Sequence, residues 1–181
     1  MTNALVVVAQ GIEEMETVII YDLLIRAGIE VTLASVTGRQ VEASRGLKMV
    51  ANVDLNQVID EAFDIIICPG GLPGAEYLRD NALLKNLLIK QHNQQKWLAA
   101  ICASPAVVLA HHGILDNSQA TGYPSSEEQI PNYIDEDVVV DGHVITSKGP
   151  GTAMVFALKI IQLLMGEVQA KEVAATALIK M

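Results

Sequence analysis

The stretch "WLAAICASPAVVLA", residues 97–110, sets a lone cysteine where an apolar run meets a Ser-Pro. Ala100 stands two before Cys102 and Ser104 two after it. A nucleophile elbow needs small residues at both places, because its strand-to-helix turn is tight and strained. Here Ala and Ser replace the glycines usual in such elbows. A cysteine just before a helix also feels the positive end of the helix dipole, which favours the thiolate. The alternative is a buried structural cysteine, packed as a small hydrophobe. Cys68, inside "IIICP", fits that alternative. For Cys102 the spacing and the following helix favour a reactive thiol.

A reactive thiol needs partners, and two other turns offer them. In "PGGLPG", Pro69 to Gly74, a glycine at position 71 lets its backbone N–H approach closely. With the N–H of Ala103 it can form an oxyanion pocket. In "GIEEMETV", Glu13, Glu14 and Glu16 crowd one helical turn, ordinarily a solvated, dipole-favoured face. One of them turned inward would have its carboxyl pKa raised by burial and could shuttle a proton. Glu14 and Glu16, two apart, cannot share a helix face. Residue spacing alone does not choose among the three.

Histidine does not complete a protease-like pair. His111 and His112 lie further along the helix after Cys102, roughly 14 Å away at 1.5 Å per residue. His143 follows an Asp-Gly turn, and His92 falls late in a helix. Chemistry by Cys with Glu is therefore favoured over peptide hydrolysis. Neither cysteine has a CxxC partner and no His cluster completes a metal set, so no metal is expected. "SKGPGTAM" has Gly149 and Gly151 but Met154 in the third glycine position of a dinucleotide fingerprint. It reads as a helix start, and no cofactor is expected.

Along the chain, short β-branched runs alternate with longer amphipathic ones. Ala4 to Ala9, "EVTLAS", "FDIIICPGG" and "KWLAAI" read as strands. "EEMETVIIYDLLIRAG" reads as a helix closed by Gly28, and "NALLKNLLIKQHNQQ" as a helix with a leucine face. "SPAVVLAHHG", "GTAMVFALKIIQLLMG" and "AKEVAATALI" read as further helices, and "NQVIDEA" as a short one. Thr37 to Val53 reads as an irregular β segment, and "VVVDGHVIT" as a hairpin around Asp141-Gly142. Alternation of this kind predicts a mainly parallel sheet covered on both faces, with ligands at the carboxyl ends of its strands. All three candidate turns fall at such ends.

The 181 residues fit one domain, residues 1–181, and 51% of them are apolar, enough for a sizeable core. With 12 basic and 21 acidic residues the formal charge is −9, which disfavours nucleic acid and anionic membranes as partners. The start lacks a basic n-region and its apolar run is too short for a signal peptide, so a cytoplasmic protein is expected. Two cysteines form no disulfide framework.

The segments "AQGIEEMETV", "PGGLPGAEYLRD", "AAICASPAVVLA" and "SKGPGTAMVFALKII" resemble the ThiJ/PfpI superfamily, most closely its deglycase and bacterial ThiJ-like branch. The resemblance runs in order along essentially the whole chain, including the final "KEVAATALI". It implies a flavodoxin-like three-layer α/β/α sandwich, related to class I glutamine amidotransferase domains, and a homodimer. It implies Cys102 as nucleophile, Glu16 as the acid beside the sulfur, and Gly71 and Ala103 as oxyanion donors. Gly70, Arg45, Tyr123 and Pro124 would border the pocket or the dimer contact. Family members are described as cofactor-independent glyoxalases, as repair enzymes for methylglyoxal-modified amines and thiols, and as redox-sensitive chaperones. The implied function is turnover of methylglyoxal, glyoxal or their adducts. The alternative is a redox-sensing chaperone whose cysteine oxidises to sulfinic acid. Departures matter too. PfpI-type peptidases carry His directly after the cysteine, where this chain has Ala103, which counts against a peptidase or amidase. The deglycase branch has His before the proline of "GYP", where this chain has Tyr123. A second surface cysteine of that branch is Val50 here.

Overall fold

The computed structural model describes residues 1–180. Its strands are β1 (Asn3–Val8), β2 (Glu30–Ser35), β3 (Gln40–Glu42), β4 (Lys48–Val50), β5 (Val53–Asp54), β6 (Ile65–Cys68), β7 (Trp97–Ile101), β8 (Gln119–Ala120), β9 (Asn132–Tyr133), β10 (Val138–Asp141) and β11 (Val144–Ser147). Its α-helices are α1 (Glu14–Arg26), α2 (Gly74–Asp80), α3 (Ala82–Asn93), α4 (Ala153–Met165) and α5 (Glu167–Thr176).

Seven strands form one sheet in the order β10-β11-β7-β6-β1-β2-β5. Every pairing in it is parallel except β10 with β11. Successive side chains of a strand point to opposite faces. Both faces are covered here, so the central strands are apolar at every position rather than at alternate ones. Leu5, Val7, Ile66, Cys68, Leu98 and Ala100 pack on one side with α2, α3 and the segment after β7. Ala4, Val6, Ile65, Ile67, Ala99 and Ile101 pack on the other with α1, α4 and α5. The result is the flavodoxin-like three-layer α/β/α arrangement expected from the alternation of elements.

From β1 the chain moves outward through β2 to β5, then returns to the other flank of β1 with β6. Such a reversal opens a crevice at the strand carboxyl ends. The turns after β1, β6 and β7 all meet there.

Three local expectations change. "SPAVVLAHHG" does not form an α-helix: Pro105–Ala110 is π-helical. His111 N–H donates to Ala106 O, five residues back, where an α-helix would bond four back. This wider turn carries Val108 and Leu109, adjacent in sequence, both fully into the core. π-Turns of this kind recur beside functional sites. "NQVIDEA" keeps only a single 3-10 turn, Leu55–Gln57. The helix α2 forms where the sequence patterning shows only a glycine turn. Gly74 lies so close to Ile12 that a Cβ would stand 2.6 Å from its Cα, which lets α2 dock directly on the turn after β1. The hairpin at Asp141-Gly142 forms as expected, with Gly142 at φ +56°. The irregular segment contains the β3–β4 hairpin.

Candidate active site

Cys102 follows β7 directly and has φ +63°, a left-handed conformation that L-residues with a Cβ adopt at a cost. A non-glycine residue held there is the backbone signature of a strained elbow. Around it the chain is pinned. Cys102 N–H donates to Ser147 O at 3.0 Å, and Tyr123 N–H donates to Cys102 O at 2.8 Å. The buried Ser104 hydroxyl donates to Pro69 O at 2.5 Å, tying the elbow to the glycine turn.

Small residues leave room for this geometry. A Cβ on Gly70 would stand 2.5 Å from Cys102 Cβ. Gly71, at φ +90°, has the Glu13 backbone N only 2.5 Å from where its Cβ would be. The backbone N–H groups of Gly71 and Ala103 lie near enough to the Cys102 sulfur to favour its thiolate.

Of the three glutamates, Glu16 is the one turned inward and fully buried. Its Oε2 accepts from Gly70 N–H at 2.7 Å. Its Oε1 has no hydrogen-bond partner, and the carboxyl lies close enough to the Cys102 thiol for each group to shift the other's ionisation. Burial raises Glu16 to about 7 against the Gly70 and Cys102 hydrogen bonds, with a smaller upward push from the Glu13 charge. Glu14 turns the other way, accepting from Ser44 Oγ and from Arg45 N–H, each at 2.9 Å. Glu13 precedes the helix, and its Oε2 accepts from Ser44 Oγ at 2.9 Å.

The expectation of a lowered thiol does not hold. Burial first, then the Glu16 charge and hydrogen bond, push Cys102 up to about 12, and the Gly71 and Ala103 N–H groups pull it down by less. A six-residue π-turn offers little dipole to offset that. Cys102 and Glu16 form one coupled acid pair in which carboxyl and thiol compete for ionisation. Cys68 is fully buried, its thiol also pushed up to about 12 by burial alone, as a structural cysteine should be.

An open cleft of about 470 Å³ leads to Cys102. Gly71, Ala103, Arg45 and Tyr123 line it, and Pro124 opens the neighbouring 3-10 segment outside its wall. Sequence reasoning missed Ser44, Ser126, Gln129 and Pro150, which also line it. Gly149 lies in the "SKGPG" turn after β11. A Cβ there would stand 4.0 Å from Cys102 Sγ, so "SKGPG" borders the thiol. Among the described residues no group of three or more His, Cys, Asp or Glu gathers to hold a metal. No helix among them is long and apolar enough to cross a membrane.

A strained cysteine after a parallel strand, with a buried carboxyl at its sulfur, defines a cysteine-centred α/β site of the elbow type. The DJ-1/PfpI family model matches residues 2–163, and the chain belongs to that family. It is 44% identical over 177 residues to the Drosophila melanogaster protein dj-1beta, covering 95% of this chain and 94% of that one. It is 40% identical over 157 residues to the Caenorhabditis elegans glutathione-independent glyoxalase DJR-1.2, covering 85% and 83% respectively. The solved structure of oxidized Toxoplasma gondii DJ-1 superimposes with a TM-score of 0.98 at 43% identity, over 100% of both chains.

Proposed function

We propose that the chain is a cysteine-dependent, cofactor-independent glyoxalase or deglycase acting on methylglyoxal, glyoxal or their adducts. The observation that carries this reading is the fully buried Glu16 carboxyl, held by Gly70 N–H beside the strained Cys102 that lines the cleft, the two groups shifting each other's ionisation. As the sulfur attacks the aldehyde carbon, Glu16 takes the thiol proton and the carbonyl electron pair moves to oxygen. The Gly71 and Ala103 N–H groups stabilise that oxygen. Protonation there, from the proton Glu16 took, gives a hemithioacetal and returns Glu16 to a carboxylate. Glu16 then carries the C1 proton to C2, while the hydroxyl proton passes from the C1 oxygen to the C2 oxygen. The product is a thioester, which water cleaves to a 2-hydroxy acid and the free thiol. The name of the C. elegans relative supports the same chemistry. Lactate formation from methylglyoxal is expected in wild type and should vanish in Cys102→Ala. Equal lactate from both proteins would overturn the reading.

A second reading rests on the same sulfur. The T. gondii neighbour was solved oxidized. Cys102 would pass through sulfenic to sulfinic acid, with a protonated Glu16 donating a hydrogen bond to the sulfinate, in a redox-sensing chaperone. Peroxide titration followed by intact mass separates the two. A two-oxygen addition at Cys102 without dicarbonyl turnover favours the sensor.

The same proposal includes a homodimer in a reducing, cytoplasmic setting. On α1, Met15, Val18 and Ile25 remain 54%, 49% and 46% exposed although Ile20 is buried. Val50 on β4 is 63% exposed. A second copy would cover these apolar positions. Sedimentation at micromolar concentration should give a dimer, and a monomer would refute it.

A further inference from the structure

The cleft uses none of the four histidines. Two of them meet elsewhere. His92 lies near the end of α3 and His143 in the turn between β10 and β11. Although 51 residues apart in sequence, His143 Nε2 lies 3.0 Å from His92 Nδ1. The rings are tilted by 47° with centroids 4.9 Å apart, and both are half-buried. Both stand on fixed backbone. Leu98 N–H donates to His143 O at 2.9 Å, extending the β7–β11 ladder. Gln91, beside His92, is buried and donates to Phe63 O at 3.1 Å and to Trp97 O at 3.3 Å.

We propose that His92 and His143 form an open two-nitrogen site for a borderline d-block cation such as Zn²⁺, Cu²⁺ or Ni²⁺. Imidazole nitrogen binds such ions at about 2.0–2.1 Å, so two neighbouring ligands stand roughly 2.9–3.4 Å apart. The observed 3.0 Å falls in that range. Two imidazoles select this class over Mg²⁺ and Ca²⁺, which take oxygen donors. Ligation needs a lone pair on both facing nitrogens. The ring that donates in the pair therefore shifts its hydrogen to its other nitrogen, and the rings turn to aim at one point. Protons are conserved and no redox change occurs. Among the described residues no third His, Cys, Asp or Glu joins the group, so water completes the coordination. The site is thus exchangeable, unlike the closed four-ligand sites of structural zinc. When filled it staples the end of α3 to the antiparallel edge of the sheet.

Calorimetric titration of the full chain with CuCl2 or ZnCl2 tests this, alongside His92→Gln, His143→Gln and Cys102→Ala. One equivalent should bind, at least tenfold more weakly in either histidine variant, with no change in Cys102→Ala. Electron paramagnetic resonance of the Cu²⁺ complex should show two coupled nitrogens in wild type and fewer in the variants. In wild type itself, Zn²⁺ should shift the imidazole resonances of His92 and His143 and leave those of His111 and His112 in place. This readout decides the matter even if a variant folds poorly. Equal affinity in all proteins, binding lost only with Cys102, or shifts at the other two histidines would overturn the proposal.

Discussion

The Gly70 N–H donates to Glu16 Oε2 across 2.7 Å, so the glycine turn holds the acid while its bare Cα makes room for the thiol. A Cβ at Gly70 would meet Cys102 Cβ at 2.5 Å, Ile101 O at 2.9 Å and Ala103 N at 3.0 Å. Two of those three are backbone atoms and cannot swing away. Gly70→Ala should therefore push the elbow and the glycine turn apart. Overpacking of this sort costs about 1–3 kcal/mol. The denaturant midpoint should fall accordingly, and dicarbonyl turnover should fall further, since the Glu16 acceptor moves with the turn. A variant with wild-type stability would show that the elbow is looser than this geometry requires.

The left-handed Cys102 gives an unusual ordering of variants. Elsewhere Ala is generally more stable than Gly, because Gly loses more backbone freedom on folding. At φ +63° the order should reverse, since a Cβ in that region costs about 1–2 kcal/mol. Thermal unfolding of Cys102→Gly and Cys102→Ala should show Gly higher. Neither has the thiol, so lost sulfur packing cancels between them. An Ala variant equal to or above Gly would deny the strain.

Residue types revealed part of this site and not the rest. The fold was legible because buried parallel strands need unbroken apolar runs, and "ALVVVA" and "IIIC" have them. Cys102 was legible from its small neighbours. The choice among Glu13, Glu14 and Glu16 was not, because it depends on which way α1 faces the sheet. That facing is set by Ile20, Leu23 and Leu24 packing against elements distant in sequence. The π-turn was equally hidden, since its composition is that of any apolar helix. The raised Cys102 thiol escaped for a related reason. A dipole is guessed from position, but desolvation depends on everything packed around the sulfur. The His92–His143 pair depends on a strand register joining residues 51 apart, which no local pattern encodes.

Burying Glu16 should make stability pH-dependent in a definite sense. Its folded value, about 7, lies above its ordinary 4.5. The folded state thus holds the proton more tightly. The associated stability is fully present below about pH 4.5 and is lost as pH rises through about 7. Glu16→Gln keeps an acceptor for Gly70 N–H and removes the ionisation. At pH 8 it should be more stable than wild type, by up to about 3 kcal/mol from a shift of roughly 2.5 units at 1.36 kcal/mol each. Near pH 4 the difference should close. Chemical denaturation at both pH values checks this. A gap independent of pH would mean that Glu16 is not what titrates.

The rate of dicarbonyl turnover should carry the same group in its acid limb. Glu16 accepts the thiol proton only as a carboxylate, so kcat/KM should fall as pH drops through about 7, the value for the free protein. Glu13 contributes to that position, since its charge raises Glu16. Removing the charge in Glu13→Gln should lower Glu16 and move the limb to lower pH. In Glu16→Gln the base itself is gone, so above about pH 7 turnover should fall by a factor on the order of 10²–10⁴, and the acid limb due to Glu16 should disappear. Profiles of kcat/KM for the three proteins from about pH 5 to 9 distinguish these effects. A limb that stays in place in Glu13→Gln would separate Glu13 from the pair. A limb that survives unchanged in Glu16→Gln would assign the proton transfer to a different group in the cleft.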